Sequence, residues 1–243
     1  MACLAGWLAC GPAGEETVVE ETKPRDRDAI LTEGTSLYSA GHEELIIRHF
    51  FDDRIGGFFL DVGSSHWQHV NTTYYLEKHL GWSGIAVDAR DEFTEGYARH
   101  RPRTRFFSYI VTDHSGTLDP FYRTGQGIHG DLSSTVEDHV ELFVVDVDVE
   151  KVERPTITLN DLLAQNGVTN VDFLSMDIEE GEPAALAAFD IDRFRPELVC
   201  IEATQTVRKR IARYFEQHGY ERIHKYLEYD RANWYYRPTQ ASR

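Results

Sequence analysis

The sequence is poor in cysteine, and the cysteines it has do not form a recognisable framework. Three occur among 243 residues: Cys3, Cys10 and Cys200. An odd number without a C-x-x-C spacing argues against both a disulfide scaffold and a common zinc site. Cys200 lies in the apolar run LVCI at 198–201, where we expect a buried and unreactive thiol.

Basic residues are also scarce relative to acidic ones. The chain carries 25 Lys and Arg against 41 Asp and Glu, which gives a formal charge of −16 at pH 7. A strong negative field repels phosphate backbones, and the sequence has no basic stripe to offset it. We therefore expect no nucleic-acid partner and favour a small-molecule substrate.

No apolar stretch is long enough to span a bilayer. The first ten residues, MACLAGWLAC, are apolar but too short, and they lack the basic residues that begin a signal peptide. We expect a cytoplasmic protein without a membrane span. Because Cys10 follows small and apolar residues, N-terminal lipidation or export is kept as the minor alternative.

The organisation of the chain is predicted to be one domain with an N-terminal extension. Residues 11–34 are charged and have few large apolar side chains, so we interpret 1–34 as a flexible arm outside the core. The length of 35–243 suits a single domain. An irregular insertion is expected at about 117–154, where the pattern is weakest.

From residue 57 onward, strand-like and helix-like segments alternate. Short apolar runs predict strands at 58–62, 84–88, 105–111, 171–176 and 197–202. Helical spacing is found at 43–51, 71–80, 159–165, 182–189 and 207–218, and we expect the first of these helices on an edge of the sheet. A closing strand pair is predicted at 220–227 and 234–237. The order predicts a doubly wound α/β fold with a mostly parallel sheet and a C-terminal antiparallel pair.

Acidic residues stand at three predicted strand ends: Asp61, Asp88 and Asp177. Ligands of open parallel sheets bind beyond the carboxyl ends of the strands, so these three carboxylates should meet at the ligand site. Gly63 permits a tight turn after the first strand. Asp88, 25 positions later, can accept hydrogen bonds from the hydroxyls of a ribose, which points to a cofactor containing a nucleoside.

The turn after the first strand discriminates between nucleoside cofactors. A dinucleotide site needs G-x-G-x-x-G, because a pyrophosphate lies against bare backbone. Here Gly63 is followed by the larger residues SSHW at 64–67. This crowding favours S-adenosylmethionine, which has no phosphate, over NAD. An NAD-type oxidoreductase remains the alternative.

Four sequence blocks together resemble a known family. They are DVGSSHWQHVNTTYYLEKHLGWSGIAVDA at 61–89, TITLNDLL at 156–163, DFLSMDIEEGEPAAL at 172–186 and RPELVCIEA at 195–203. With NWYYRP at 233–238, they resemble the FkbM-type methyltransferases. The resemblance implies a class I methyltransferase fold with a seven-stranded sheet, S-adenosylmethionine as donor, and O-methylation of a hydroxyl on a small molecule or saccharide.

The resemblance also assigns roles to individual residues. It places Asp61, Gly63, Ser64 and Ser65 in the first cofactor loop. Asp88 would bind the ribose and Asp113 would approach the adenine. Asp177 and Glu179 would face the acceptor pocket.

A hydroxyl acceptor must lose a proton, and a positioned base typically contributes ~10²–10⁴-fold to the rate. The candidates for this base are Asp177, Glu179, His66 and His129. His129 lies in a glycine-rich segment at 124–130 that can close over a substrate. Clustered carboxylates also suit a hard cation, but no ligand spacing requires one, so no metal is predicted.

The chain departs from the family pattern in two places. Trp67 stands where the family commonly has a second glycine, and Ser65 where it commonly has asparagine. In the segment 177–182, DIEEGE, the glycine comes one place later than in the usual D-x-E-G-x-E. These departures favour a further alternative, an inactive binding module on the same fold.

Overall fold

A computed structural model describes residues 27–125, 133–136 and 149–239 of the chain. Most of the predicted N-terminal arm lies outside these residues, as do His129 and part of the predicted insertion at about 117–154. Within the described residues, no helix is both long and apolar enough to cross a membrane.

The strands follow the predicted alternation closely. In chain order they are β1 (Phe58–Val62), β2 (Ser83–Asp88), β3 (Thr104–Ser108), β4 (Ile110–Val111), β5 (Leu118–Thr124), β6 (Val149–Ile157), β7 (Phe173–Met176), β8 (Leu198–Glu202), β9 (Tyr220–Arg222) and β10 (Asn233–Pro238).

The helices alternate with the strands of the main sheet. They are α1 (Ala29–Glu33), α2 (Glu43–Phe51), α3 (Tyr74–Leu80), α4 (Thr94–His100), α5 (Leu159–Gln165), α6 (Glu182–Ala187), α7 (Ile191–Phe194) and α8 (Arg208–Gln217). Two 3₁₀ turns, Asp91–Phe93 and His224–Glu228, complete the described elements.

The main sheet has seven strands in the order β3-β2-β1-β7-β8-β10-β9. β10 is antiparallel to both of its neighbours, and the other pairs are parallel. The predicted fold is therefore confirmed, including the C-terminal antiparallel strands. Since the chain runs outward from β1 to β3 on one side and from β7 to β8 on the other, the switch point lies between β1 and β7.

Helices cover both faces of the sheet. Leu60 and Leu174 point into one apolar core with residues of α5, α6 and α8, whereas their neighbours Phe59 and Phe173 join a second core with α2 and α3. Side chains alternate between faces along a strand. Burial on both faces therefore explains why these strands are continuous apolar runs.

The position of α2 differs from the prediction. Its Leu45, Ile46 and Ile47 are buried in the same core as Phe59 of β1 and Leu198 of β8, so α2 covers central strands rather than an edge. The preceding helix α1 packs there as well, with Leu31 only 2% exposed. Residues 29–33 were expected in the flexible arm. A run of three apolar residues, Ala29 to Leu31, in a charged segment is too short a sequence signal for a docked helix.

The predicted strand at 105–111 is two strands. β3 ends at Ser108, the backbone N–H of Tyr109 donates to the carbonyl of Asp88, and β4 joins a separate sheet with the order β4-β6-β5. An uninterrupted apolar run gives no sign of such a break. The predicted helix at 71–80 starts later, because the Asn71 side chain donates to the carbonyls of Ser64 and His66.

Candidate functional site

A cleft of about 940 Å³ opens at the carboxyl ends of β1, β2 and β7, beside the switch point. Seven of the predicted site residues line it: Asp61, Gly63, Ser64, Ser65, Asp88, Asp177 and Glu179. The sheet topology thus brings together residues that are 118 positions apart.

The turn after β1 requires glycine at position 63. Its φ is +79°, and an added Cβ would lie 1.7 Å from the carbonyl oxygen of Asp177. The Gly63 N–H donates to the carbonyl of Val87 at 2.8 Å. The turn is therefore pressed between β2 and the loop that follows β7, and it forms the floor of the cleft.

The two serines after Gly63 face the cleft in different ways. Ser64 is buried, and its Oγ has no hydrogen-bond partner among the residues that the structure describes. Ser65 has a left-handed backbone with φ of +50°, and its N–H donates to Oδ2 of Asp88 at 2.9 Å. A buried hydroxyl without a partner is costly, so the Oγ of Ser64 is a candidate for contact with a ligand.

Asp88 is held at the sheet edge by its surroundings. Its Oδ1 accepts hydrogen bonds from the backbone N–H of Arg90 at 2.9 Å and from Nε of the same residue at 3.2 Å. The Arg90 guanidinium lies over the ring of Phe93 at 4.6 Å. Arg90 also lines the cleft. Sequence reasoning missed Arg90, because an arginine two places after a strand end carries no signal of its own.

Asp61 lies beneath the turn and is only 3% exposed. Its Oδ2 accepts a hydrogen bond from Oγ1 of Thr73 at 2.7 Å. Burial raises the pKa of this carboxyl to about 6, although the Thr73 hydrogen bond and the charge of Arg101 favour ionisation. Asp61 therefore supports the loop after β1 and contributes to the wall of the cleft.

A buried arginine fixes the rest of this loop. Arg101 Nε donates to Oε2 of Glu77 at 2.6 Å, and its NH1 donates to the carbonyl of Trp67 at 3.1 Å and to Oδ1 of Asn71 at 3.2 Å. The Arg101 side chain is fully buried. A paired and hydrogen-bonded buried charge of this kind is costly to break, so the loop has one well-defined shape.

The structure changes the interpretation of His66 and Trp67. The Trp67 ring stacks on His100 with centroids 4.0 Å apart and packs against Gly96 of α4. His66 Nδ1 accepts the backbone N–H groups of Gln68 and His69. Neither residue lines the cleft. The crowding of the turn that we expected from them is therefore absent, and His66 is poorly placed to act as a base.

Asp113 is also not part of the cleft. It follows β4 of the small sheet, its side chain is 57% exposed, and it pairs with Nδ1 of His114 at 2.7 Å. The prediction assumed one strand from 105 to 111, whereas the chain leaves the main sheet at Tyr109. The cleft wall on this side is instead largely apolar and is lined by Ala89, Tyr109, Ile110, Val111 and Phe121.

On the other side of the cleft, the loop after β7 carries a strained backbone. Glu179 and Glu180 are consecutive left-handed residues, with φ of +53° and +74°. Oγ of Ser134 donates to the carbonyl of Glu179 at 2.6 Å, and Oγ1 of Thr204 donates to Oε1 of Glu180. Such strain persists only where surrounding contacts hold it, and it concentrates at functional sites.

Two further carboxyl groups lie behind this loop. Glu182 is fully buried and its Oε1 accepts the N–H of Ile178; burial raises its pKa to about 7. Burial and, next, the charge of Asp177 raise the pKa of Glu202 at the end of β8 to about 9. Sequence reasoning did not select either residue, although Glu182 is the last residue of the segment DIEEGE and Glu202 ends the predicted strand at 197–202.

Comparison with known proteins agrees with this architecture. The model of the methyltransferase FkbM domain matches residues 61–222, which is most of the described chain.

This chain belongs to the FkbM methyltransferase family.

Other comparisons are more distant. No curated protein sequence matches this FkbM-family chain significantly. Among solved structures, a TehB-like SAM-dependent methyltransferase from Corynebacterium glutamicum is similar at 12% identity and a TM-score of 0.45, over 87% of this chain and 92% of that one. A putative RNA methyltransferase from Pyrococcus horikoshii is similar at 14% identity and a TM-score of 0.39, over 82% of each chain.

Proposed function

We propose that this FkbM-family protein is an S-adenosylmethionine-dependent O-methyltransferase that acts on a hydroxyl of a small molecule or saccharide. One observation carries the proposal: a single cleft brings Asp88 and the Gly63 turn, on the side expected for the donor, next to Asp177 and Glu179. A donor and an acceptor can therefore meet at the switch point of the sheet.

The residues on one side of the cleft fit the methyl donor. Asp88 lines the cleft, where Ser65 and Arg90 orient its carboxylate, and it is our candidate for binding the hydroxyls of a ribose. The unpartnered Oγ of Ser64 suits the polar amino-acid end, and the apolar wall around Ile110 suits an adenine ring. S-adenosylmethionine supplies an electrophilic methyl group when it is bound. The enzyme then mainly has to hold the acceptor in line with that group.

Asp177 and Glu179 are the candidates for the base that removes the hydroxyl proton. Both line the cleft, and Asp177 is exposed to it. His66 contacts loop amides instead, and His129 lies outside the described residues. The geometry therefore favours Asp177 or Glu179 over His66 as the base.

Calorimetric titration with S-adenosylmethionine, S-adenosylhomocysteine and NAD tests the donor. We expect the two sulfur nucleosides to bind and NAD to give no heat. Binding of NAD alone would favour the oxidoreductase alternative, and heat from none of the three would favour an inactive module.

Transfer of a labelled methyl group tests the activity itself. The protein is incubated with isotopically labelled donor and a panel of hydroxylated metabolites and saccharides, and the products are analysed by mass spectrometry. We expect the label on an acceptor oxygen. Label on nitrogen or carbon would retain methyl transfer but contradict O-methylation.

A further inference from the structure

Three carboxylates from three parts of the chain converge behind the cleft. Asp177 follows β7, Glu182 begins α6 and Glu202 ends β8. One oxygen from each side chain lies within 4.8 Å of the other two. When all three are ionised, they repel one another strongly at this distance, so the ionised cluster needs a compensating positive group.

The cluster also contains oxygens that nothing satisfies. Oε2 of Glu182 and Oε2 of Glu202 are buried, and neither has a hydrogen-bond partner in the described part of the chain. Glu182 is 0% exposed as a residue. Buried polar atoms in folded proteins are almost always paired. Two unpaired carboxylate oxygens in one cluster therefore indicate a missing partner rather than a solvated acidic surface.

The spacing is that of ligands around one ion. Two oxygens on opposite sides of Ca²⁺ are about 4.6–5.2 Å apart, and around Mg²⁺ they are about 4.0–4.2 Å apart. All three oxygens lie within the first of these limits. Carboxylates are preferred ligands of Ca²⁺, Mg²⁺ and Mn²⁺. Water and the exposed side of Asp177 can complete the coordination.

We propose that Asp177, Glu182 and Glu202 bind one divalent, oxygen-preferring cation beside the cleft. The carbonyl of Asp177 also lies against Gly63, so the cation would stiffen the loop that carries Glu179. The site shares Asp177 with the proposed acceptor pocket, but binding of the ion can be measured without donor or acceptor, so the two proposals can fail separately.

Electron paramagnetic resonance with Mn²⁺, in competition with Ca²⁺ and Mg²⁺, tests the site on the full chain after treatment with a chelator. We expect one bound Mn²⁺ per chain and a higher melting temperature, since an ion that binds only the folded state stabilises it. Glu202→Gln should weaken the affinity by at least about tenfold, because the number of charged ligands sets the affinity of such sites.

The controls separate this site from non-specific binding. Glu221→Gln removes an exposed carboxylate paired with Arg237 and should leave Mn²⁺ affinity unchanged. Glu182→Gln should weaken Mn²⁺ affinity as Glu202→Gln does, and circular dichroism checks whether the variant folds. If Glu182→Gln does not fold, the result for Glu202→Gln decides. Absence of binding up to about 10 mM, beyond the weakest natural Ca²⁺ sites, would overturn the proposal. Equal binding by wild type and Glu202→Gln would do so as well.

Discussion

At the scale of single residues, Asp61 makes the stability of the ligand-free protein depend on pH. Its pKa in the folded protein is raised to about 6 from an ordinary value of 3.8. The folded state therefore keeps this proton to a higher pH than the unfolded chain. Through this group, the free energy of unfolding falls as the pH rises from about 4 to about 6, by up to about 3 kcal/mol.

Asp61→Asn removes this dependence while keeping an oxygen for the Thr73 hydroxyl. Above pH 6 the variant should be more stable than wild type by up to about 3 kcal/mol, and the difference should shrink as the pH falls to 4. Urea unfolding at several pH values measures it. Asp113→Asn is the control, because its exposed carboxylate has a pKa lowered by His114. If the difference in the free energy of unfolding between Asp61→Asn and wild type is the same at every pH, the raised pKa of Asp61 is contradicted.

Asp177 tests the chemistry of the proposed reaction. If it acts on the acceptor, as a base or as a cation ligand, Asp177→Asn should lower turnover by about 10²–10⁴-fold. Affinity for S-adenosylhomocysteine should stay within about tenfold of wild type, because only interactions of the transition state are lost.

Glu179→Gln is the matched comparison for Asp177→Asn, because Glu179 lines the same side of the cleft. The variant with the larger loss of turnover identifies the more important carboxylate. A comparable loss of donor affinity in Asp177→Asn would instead place Asp177 in the donor site. Single-turnover measurements with saturating donor distinguish these results.

At the scale of elements, the turn after β1 determines where the cleft can form. Gly63 and Gly116 both have positive φ, +79° and +85°, but a Cβ at Gly116 would meet nothing within 4 Å. Gly116→Ala should therefore cost only the backbone strain of about 1–2 kcal/mol.

Gly63→Ala adds a collision with the carbonyl of Asp177. We expect it to lower the free energy of unfolding by at least about 2 kcal/mol more than Gly116→Ala does, and to reduce donor affinity. Chemical unfolding and calorimetry of both variants measure these effects. If both variants lose the same free energy of unfolding, the loop after β7 must move away from the turn at little cost.

The elements that the sequence predicts best are those buried on both faces. β1 has the predicted bounds, and β8 ends at the predicted residue, Glu202. Local sequence patterns do not predict features that depend on contacts between residues distant in the sequence. The break at Tyr109 depends on pairing of β4 with β6, and the position of Trp67 depends on a cavity left by Gly96 of α4.

The candidate site shows the same division. Strand ends identified Asp61, Asp88 and Asp177, because parallel strands must end at one edge. The same rule applies to Glu202, which ends the parallel strand β8 and was overlooked, whereas Arg90 and Glu182 lie beyond strand ends and could not be predicted in this way. Their importance comes from neighbours on other elements, and only the folded chain shows which oxygens lack partners.

At the scale of the whole molecule, the net charge and the acidic cleft together should favour binding of S-adenosylmethionine over binding of its product, S-adenosylhomocysteine. S-adenosylmethionine carries one net positive charge at neutral pH, from its sulfonium, ammonium and carboxylate groups, whereas S-adenosylhomocysteine is neutral. The protein carries a formal charge of −16, and Asp61, Asp88, Asp177 and Glu179 line the cleft. Long-range attraction should therefore favour the methylated, reactive form.

Salt should weaken this preference. Between about 0.05 M and 0.5 M NaCl the Debye length falls from about 14 Å to about 4 Å, which screens most of the distant charges. We expect affinity for S-adenosylmethionine to fall several-fold more than affinity for S-adenosylhomocysteine, as measured by calorimetry with a chelator present so that no cation neutralises the cluster. If salt lowers the affinity for both ligands equally, the electric field of the whole protein does not distinguish the donor from its product. Contacts within the cleft alone would then do so.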